Sequence, residues 1–294
     1  MEPFSISEHD LAIAERLSSR VLAGHPLVLA GALPHRRQSG AGYEFMEFRR
    51  HHQDEDARFI DWRASARLNH LVARRFASEW SSEWWICMDC SASMQLGGSD
   101  RWSLARTLSA VLAHVLLRRG ARVGLLLFAD GVIGLRPLGR GRKQEAALAQ
   151  AINNAKGKSS GGASRLASCA AYMRRRQSVI VLSDFLTPSA MTEDLGLLRR
   201  LKGELHCLRL EAPSDAILPA DMATTVIDVE TAEVSMIEDA ASATTLAQRR
   251  LQEHRDLLTE YCSQHGICHS SAFEYEPWSG VLVNHLQQAM RQHA

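Results

Sequence analysis

The sequence predicts an α/β protein with a doubly wound, mostly parallel sheet, preceded by a small N-terminal extension of one helix and two strands. From residue 83 onward, short apolar runs alternate with stretches of helical periodicity, an order that produces parallel strands with helices on both faces. The apolar runs are nearly continuous, as expected of strands buried on both faces. With 294 residues, the chain is long enough for one large domain and a smaller extension.

The extension is assigned to residues 1–82. Ser7 to Leu22 carries apolar residues at helical spacing after a serine that can cap a helix. Tyr43 to Arg49 alternates apolar with polar residues, and Leu71 to Phe76 is a second strand candidate. We expect these two strands to pair as a small sheet.

The main domain is assigned to residues 83–294. Its predicted strands are Trp84–Asp89, Ala121–Ala129, Val132–Leu138, Ser178–Ser183, Glu204–Leu210, Thr225–Val229 and Ile267–Tyr275. Its predicted helices are Arg101–Arg119, Lys143–Asn154, Arg165–Arg176, Ala190–Leu201, Thr245–Gln264 and Val281–Arg291. The dipeptide Asp130-Gly131 suits a tight turn, so the second and third strands should form a hairpin.

Composition and charge give no global reason to expect a nucleic-acid or membrane partner. The chain has 34 basic and 33 acidic residues, a formal net charge of +1. No apolar run approaches the roughly 20 residues of a membrane-spanning helix. No secretory signal precedes the six cysteines, and this favours reduced thiols and a cytoplasmic protein.

The pentapeptide Asp89-Cys90-Ser91-Ala92-Ser93 is the strongest candidate site. One carboxylate and two hydroxyls follow a buried strand on one tight loop, where a hard divalent cation could bind. Ser164 follows a glycine pair at a helix start, and Asp184 ends another apolar strand. Because ligands of doubly wound sheets bind beyond the carboxyl ends of strands, these oxygens should converge. Alone, the pentapeptide could simply cap the next helix.

The five oxygen-bearing residues resemble the metal-ion-dependent adhesion site of the von Willebrand factor A superfamily, whose fold is of the Rossmann type. The resemblance implies that Ser91, Ser93 and Ser164 are hydroxyl ligands of Mg²⁺ or Mn²⁺, while Asp89 and Asp184 bind mainly through water. The loop register offers Ala163 or Ser164 for the fourth position. A partner's carboxylate would complete the coordination of the metal.

Upstream, Gly42-Tyr43-Glu44-Phe45 and the run from Ile60 to Arg67 resemble the signature of the bacterial family called domain of unknown function 58. That family places this signature before a von Willebrand A-like domain. The resemblance implies a non-enzymatic interaction module that acts with a MoxR-type AAA+ ATPase in a chaperone-like or assembly role. Within the signature, Asp61, Trp62, Arg63 and Arg67 could tie the upstream strands to the main sheet or present a partner surface.

Several other functions stay open. A metal-dependent phosphohydrolase could use Asp89, although such enzymes usually have a second acid two positions on, where this chain has Ser91. The arginine-rich N-terminal third could bind nucleic acid. Cys262, His265, Cys268 and His269 could bind zinc, but their spacing fits no ligand pattern well.

Overall fold

The computed structural model describes residues 7–21, 44–50, 61–68, 71–77, 83–98, 100–157, 164–186, 191–215, 224–228, 233–237 and 239–293. The chain forms two compact units, one of Leu29–Ser81 and one of Met1–Val28 with Ser82–Ala294. The predicted extension of residues 1–82 is therefore divided, because its N-terminal segment belongs to the larger unit.

The smaller unit contains the two strands that the sequence predicts. Strands β1 (Glu44–Arg50) and β2 (Val72–Ala77) form an antiparallel pair. A short helix that the sequence analysis did not predict, α2 (Trp62–Leu68), lies between them in the chain. The buried Asp61 begins this helix, since its Oδ1 accepts a hydrogen bond from the backbone of Ala64 at 3.0 Å.

The larger unit is built on a six-stranded sheet, which confirms the predicted α/β fold with a mostly parallel sheet. Its strands are β3 (Glu83–Asp89), β4 (Arg122–Phe128), β5 (Val132–Gly139), β6 (Ser178–Ser183), β7 (Leu205–Glu211) and β10 (Cys268–Phe273). The spatial order is β10-β7-β6-β3-β4-β5, and only β5 is antiparallel to its neighbour. The hairpin at Asp130-Gly131 is therefore confirmed.

Seven helices of the larger unit are described: α1 (Glu8–Val21), α3 (Arg101–Arg118), α4 (Gly141–Asn153), α5 (Ala167–Ala170), α6 (Met191–Arg199), α7 (Ala240–His265) and α8 (Trp278–His293). Helix α1 is tied to two of the others. Glu15 of α1 pairs with Arg118 of α3 at 2.7 Å, and Asp10 accepts a hydrogen bond from the indole of Trp278 at 3.1 Å.

Hydrophobic cores lie on both faces of the sheet. Trp84, Ile86 and Met88 of β3 belong to one core, while Trp85 and Cys87 belong to the other. Successive side chains of a strand point to opposite faces, so this alternation shows that β3 is buried on both. Helices α3, α4 and α8 supply apolar residues to the first core, and α6 and α7 supply them to the second.

Two parts of the larger unit differ from the sequence predictions. The predicted helix Arg165–Arg176 is wrong in extent, because only Ala167–Ala170 is α-helical and the surrounding turns bond residue i to i+3, as from Met173 N to Ala170 O. The strand predicted at Thr225–Val229 does not join the main sheet. It forms β8 (Thr224–Ile227), which pairs with β9 (Val234–Ile237) in a separate antiparallel sheet.

Gly203 should tolerate no side chain. A Cβ there would lie 1.9 Å from the backbone oxygen of Gln177, whereas a Cβ at Gly131 would meet nothing within 4 Å. We expect Gly203→Ala to lower the free energy of unfolding by about 1–3 kcal/mol, because the backbone must move apart. Gly131→Ala should leave it unchanged or raise it by up to about 1 kcal/mol. Urea unfolding measures both, and equal stabilities would contradict the close approach.

Candidate functional site

The candidate site lies at the carboxyl edge of the sheet, where the strand order reverses. From β3 the chain continues to β4 and β5 on one side, and then returns to β6 on the other. The ends of β3 and β6 therefore border the crevice that a doubly wound sheet leaves at its switch point. Strand β3 ends at Asp89, and β6 ends at Ser183, followed directly by Asp184.

Asp89 is the centre of a hydrogen-bond network. Its Oδ1 accepts a bond from the backbone nitrogen of Ser91 at 2.8 Å, which shapes the tight loop after β3. Its Oδ2 accepts bonds from the hydroxyls of Ser183 at 2.6 Å and Ser164 at 3.2 Å. The carboxylate thus joins three segments of the chain, while only 1% of the residue is exposed.

The predicted hydroxyl ligands lie beside this carboxylate. The oxygens of Ser91 and Ser93 are 3.0 Å apart, and both residues are buried. Ser164 reaches Asp89 because the next residue, Arg165, donates its backbone N–H to Ala129 O at 2.7 Å, just beyond β4. Ser164 therefore offers a hydroxyl to the cluster, whereas Ala163 lies outside the described residues.

Asp184 is the second buried carboxylate, and it is only partly satisfied. Its Oδ1 accepts a bond from the backbone of Leu186 at 3.0 Å. Its Oδ2 is buried without a hydrogen bond, with the guanidinium Nη1 of Arg101 at 3.5 Å. The intervening Phe185 has φ of 56°, in the left-handed region that bulky side chains disfavour. Such local backbone strain occurs preferentially at functional sites.

Arg101 joins the site to the first turn of α3 and to β7. Its side chain is fully buried and pairs with both oxygens of Asp215, from Nη2 at 2.9 Å and Nη1 at 3.0 Å. The same guanidinium donates to the backbone oxygen of Ser93 at 3.0 Å. One fixed cation therefore holds the serine loop near two carboxylates, Asp184 and Asp215.

Burial raises the pKa of both site carboxylates. The pKa of Asp89 rises to about 7 because the group is desolvated and the negative charge of Asp184 lies nearby, and hydrogen bonds from Ser183 and Ser91 oppose the rise. The pKa of Asp184 is also raised by burial, against the lowering effect of Arg101 and of the bond from Leu186. Because the positive charge around these two buried carboxylates does not balance their negative charge, binding of a proton or a metal cation is favourable there.

The donor set fits a hard divalent cation. Three hydroxyls and two carboxylates are the oxygen ligands that Mg²⁺ and Mn²⁺ prefer. Oδ2 of Asp184 accepts no hydrogen bond, although it is paired with Arg101 at 3.5 Å. The structure brings together all five residues that the sequence singled out: Asp89, Ser91, Ser93, Ser164 and Asp184. Metal binding itself remains a prediction.

The other candidates are placed differently. Asp61 is buried and caps α2, which is a structural role. Trp62 and Arg67 are exposed in this helix, Trp62 to 66%, and Arg63 belongs to the same helix. The four candidate zinc ligands do not gather among the described residues. Instead, Cys262 belongs to the second hydrophobic core, and the ring of His265 stacks on Tyr261.

Sequence reasoning missed Arg101, Ser183 and Asp215. Ser183 directly precedes Asp184, and Asp215 follows β7 shortly after the strand ends. The rule that located Asp184, polar residues beyond parallel strand ends, could have located both. Nothing in the sequence around Arg101 distinguishes a buried guanidinium from the exposed arginines of ordinary helices.

The fold and the site together define a class: an α/β protein with a buried cluster of oxygen donors at the switch point of its sheet. The family model described as "Protein of unknown function DUF58" matches residues 47–256. The chain belongs to this family.

Two mycobacterial species have proteins that are similar to this chain. Uncharacterized proteins of Mycobacterium bovis and Mycobacterium tuberculosis are 26% identical over 216 residues, which cover 71% of this chain. The chain spans only 65% of the length of these curated relatives.

Two solved structures cover the same share of the chain, 71%, and 99% of their own chains. The conserved hypothetical protein BatB from Bacteroides thetaiotaomicron is 12% identical with a TM-score of 0.48. An aerotolerance-related membrane protein from Bacteroides fragilis is 12% identical with a TM-score of 0.41. Among the helices described for this chain, none has the length and apolar character to cross a bilayer.

Arg101 should be essential to the stability of the site. We expect Arg101→Met to lower the free energy of unfolding by about 3–5 kcal/mol, because Asp184 and Asp215 would then be buried without their cation. The matched control is Arg118→Met in the same helix, whose ion pair with Glu15 is exposed and should be nearly neutral. Denaturant unfolding measures both variants, and similar losses would contradict the special role of Arg101.

Proposed function

We propose that this protein is a non-enzymatic, metal-dependent interaction module, in which Mg²⁺ or Mn²⁺ at the Asp89 cluster receives a carboxylate from a partner protein. The observation that carries this proposal is the convergence of three hydroxyls and two charge-deficient carboxylates at the switch point. Mostly neutral hydroxyl ligands leave a divalent metal under-neutralised, so it retains affinity for an external carboxylate.

We propose that a partner approaches the cluster beside the 3₁₀ helix Ser93–Gly98, which follows Asp89 in the chain. Ser93 is buried, but Gln95 and Leu96 in this helix are exposed. The apolar side chain of Leu96 would add contact area to a partner protein whose carboxylate is bound to the metal. A small ion would gain nothing from this contact. Independently of the cluster, Trp62 and Arg67 in the smaller unit are exposed side chains of types enriched at interfaces.

The partner that we propose is a MoxR-type AAA+ ATPase, with the chain acting in the cytoplasm in a chaperone-like or assembly role. Support comes from membership of the family and from the resemblance of the metal cluster to an adhesion site. ATP would be hydrolysed by the partner, since no Walker-type phosphate loop occurs in this sequence. A near-neutral formal charge of +1 accords with a protein partner rather than nucleic acid.

The hydrogen bonds of Asp89 favour binding over phosphoryl transfer. An aspartyl nucleophile needs an oxygen free for attack, and both oxygens of Asp89 accept hydrogen bonds from Ser91, Ser164 and Ser183. Ser91 also occupies the position where such enzymes usually carry their second acid. Phosphoester turnover that is lost in Asp89→Asn would nevertheless support the hydrolase instead.

Metal binding is tested by calorimetric titration with Mg²⁺ and Mn²⁺. We expect Asp89→Asn to weaken binding by about 10- to 100-fold, as for other groups that orient a metal through water. The pKa of Asp89 is about 7, so the affinity of the natural chain should rise as pH increases through that value and the proton leaves.

The control is Asp194→Asn, which alters a buried carboxylate that accepts a bond from Ala167 at 2.9 Å, outside the cluster. It should bind metal like the natural chain. Circular dichroism in chelator verifies that both variants are folded. An unchanged metal affinity in a folded Asp89→Asn variant would refute the site.

The partner is tested by affinity capture of the full chain from native lysate, with Mg²⁺ or with chelator. We expect mass spectrometry to identify an AAA+ ATPase with Mg²⁺ and at least about tenfold less of it in chelator or with Asp89→Asn. The Asp194→Asn variant should capture it normally. Equal capture in chelator would refute the metal-mediated contact, and absence of any AAA+ ATPase would refute the partner.

A further inference from the structure

A second group of metal-binding side chains lies at the opposite ends of the strands. His206 is the second residue of β7, Cys268 is the first residue of β10, and His285 belongs to α8. One donor atom from each of the three lies within 4.8 Å of the other two. All three residues are buried, with exposed fractions of 1%, 3% and 0%.

The sheet register brings these donors together. His206 and Cys268 are paired neighbours across the parallel strands β7 and β10, so their side chains leave the same face. That face carries the core to which Leu208, Leu210 and Ala272 belong at alternate positions. Helix α8 packs on this core through Val281, Leu282 and Leu286, and this places His285 over the strand pair.

Two of the three distances between the donor atoms approach those of a zinc site. Nδ1 of His206 lies 2.9 Å from Nε2 of His285, and the Sγ of Cys268 lies 3.8 Å from that same Nε2. With Zn–N near 2.1 Å and Zn–S near 2.3 Å, tetrahedral geometry requires about 3.4 Å and about 3.6 Å. Shifts of a few tenths of an ångström would therefore admit the ion.

Each histidine has a polar partner for the nitrogen that faces away from the other donors. Nε2 of His206 lies 3.4 Å from the carboxylate of Glu204, and Nδ1 of His285 lies 2.7 Å from the hydroxyl of Ser270. Partners of this kind orient metal-bound imidazoles, and a carboxylate behind a histidine is a common arrangement at zinc. Glu204 also supplies a negative charge near the ion.

We propose that His206, Cys268 and His285 form a buried site for one Zn²⁺ ion, with two nitrogens and one thiolate as donors. A water would fill the fourth position, as it does at zinc sites that have three protein ligands. The site is separate from the Asp89 cluster, whose hard oxygen donors suit Mg²⁺, and it does not depend on the proposed function.

Zinc binding here would release one proton. Without metal, the contacts fit a tautomer in which His206 carries its proton on Nε2, toward Glu204. His285 then donates from Nε2 to Nδ1 of His206, and Nδ1 of His285 accepts from the hydroxyl of Ser270. On binding, the thiol proton of Cys268 would leave to solvent. The proton of His285 would move from Nε2 to Nδ1, and the hydroxyl oxygen of Ser270 would accept a hydrogen bond from that N–H. One thiol proton is thus exchanged for the metal.

The test measures zinc by elemental analysis in untagged protein purified without chelator. We expect about one zinc ion per chain, and at least about tenfold less in Cys268→Ala and in His285→Gln. The matched control is Cys262→Ala, a buried cysteine of the second core, which should retain zinc. Asp89→Asn should also retain it, which separates this site from the proposed function.

Substitution with Co²⁺ provides a second measurement, which can be made on the natural chain. The natural chain should give the thiolate-to-cobalt absorption of a tetrahedral site after reconstitution, and Cys262→Ala should give it too. Absence of both stoichiometric zinc and the cobalt–thiolate absorption, full zinc content in Cys268→Ala, or retention of copper in place of zinc would overturn the proposal.

Discussion

The alternation of side chains along parallel strands buried on both faces is the constraint on which the rest of the structure depends. In β3, Trp84, Ile86 and Met88 fill one core while Trp85 and Cys87 fill the other. A shift of one residue would exchange the two sets, so packing fixes the register. That register places Asp89 at the switch point, and the pairing of β7 with β10 places His206 beside Cys268.

Buried charge at the switch point is balanced within a small network. Asp89, Asp184 and Asp215 are carboxylates at the carboxyl edge, and the fully buried Arg101 pairs with the last two, so that one positive charge faces two negative ones. Burial and the nearby negative charge of Asp184 raise the pKa of Asp89 to about 7, although hydrogen bonds from Ser183 and Ser91 oppose the rise. A bound divalent cation would supply the missing positive charge, so the electrostatics and the proposed metal site have one physical origin.

The two proposed metal sites would lie at opposite ends of the strands and would have different ligand types. Hydroxyl and carboxylate oxygens lie at the carboxyl ends of the strands, next to an exposed loop, and suit a cation that exchanges ligands with a partner. Imidazoles and a thiol lie at the amino ends beneath α8, where all three residues are buried, and suit Zn²⁺. The zinc site would join β7, β10 and α8, whereas the Asp89 cluster would bind the partner protein.

The sequence by itself determined the α/β class and most strands and helices of the larger unit, because apolar periodicity is a local signal. Polar residues at strand ends also predicted that five oxygen-bearing side chains would lie together. It failed at Arg165–Arg176, where an apolar spacing typical of a helix is realised mostly by tighter turns. Only the tertiary structure decided the partners of Arg101 and the meeting of His206, Cys268 and His285. Those contacts join residues distant in the chain, and strand order and helix packing bring them together.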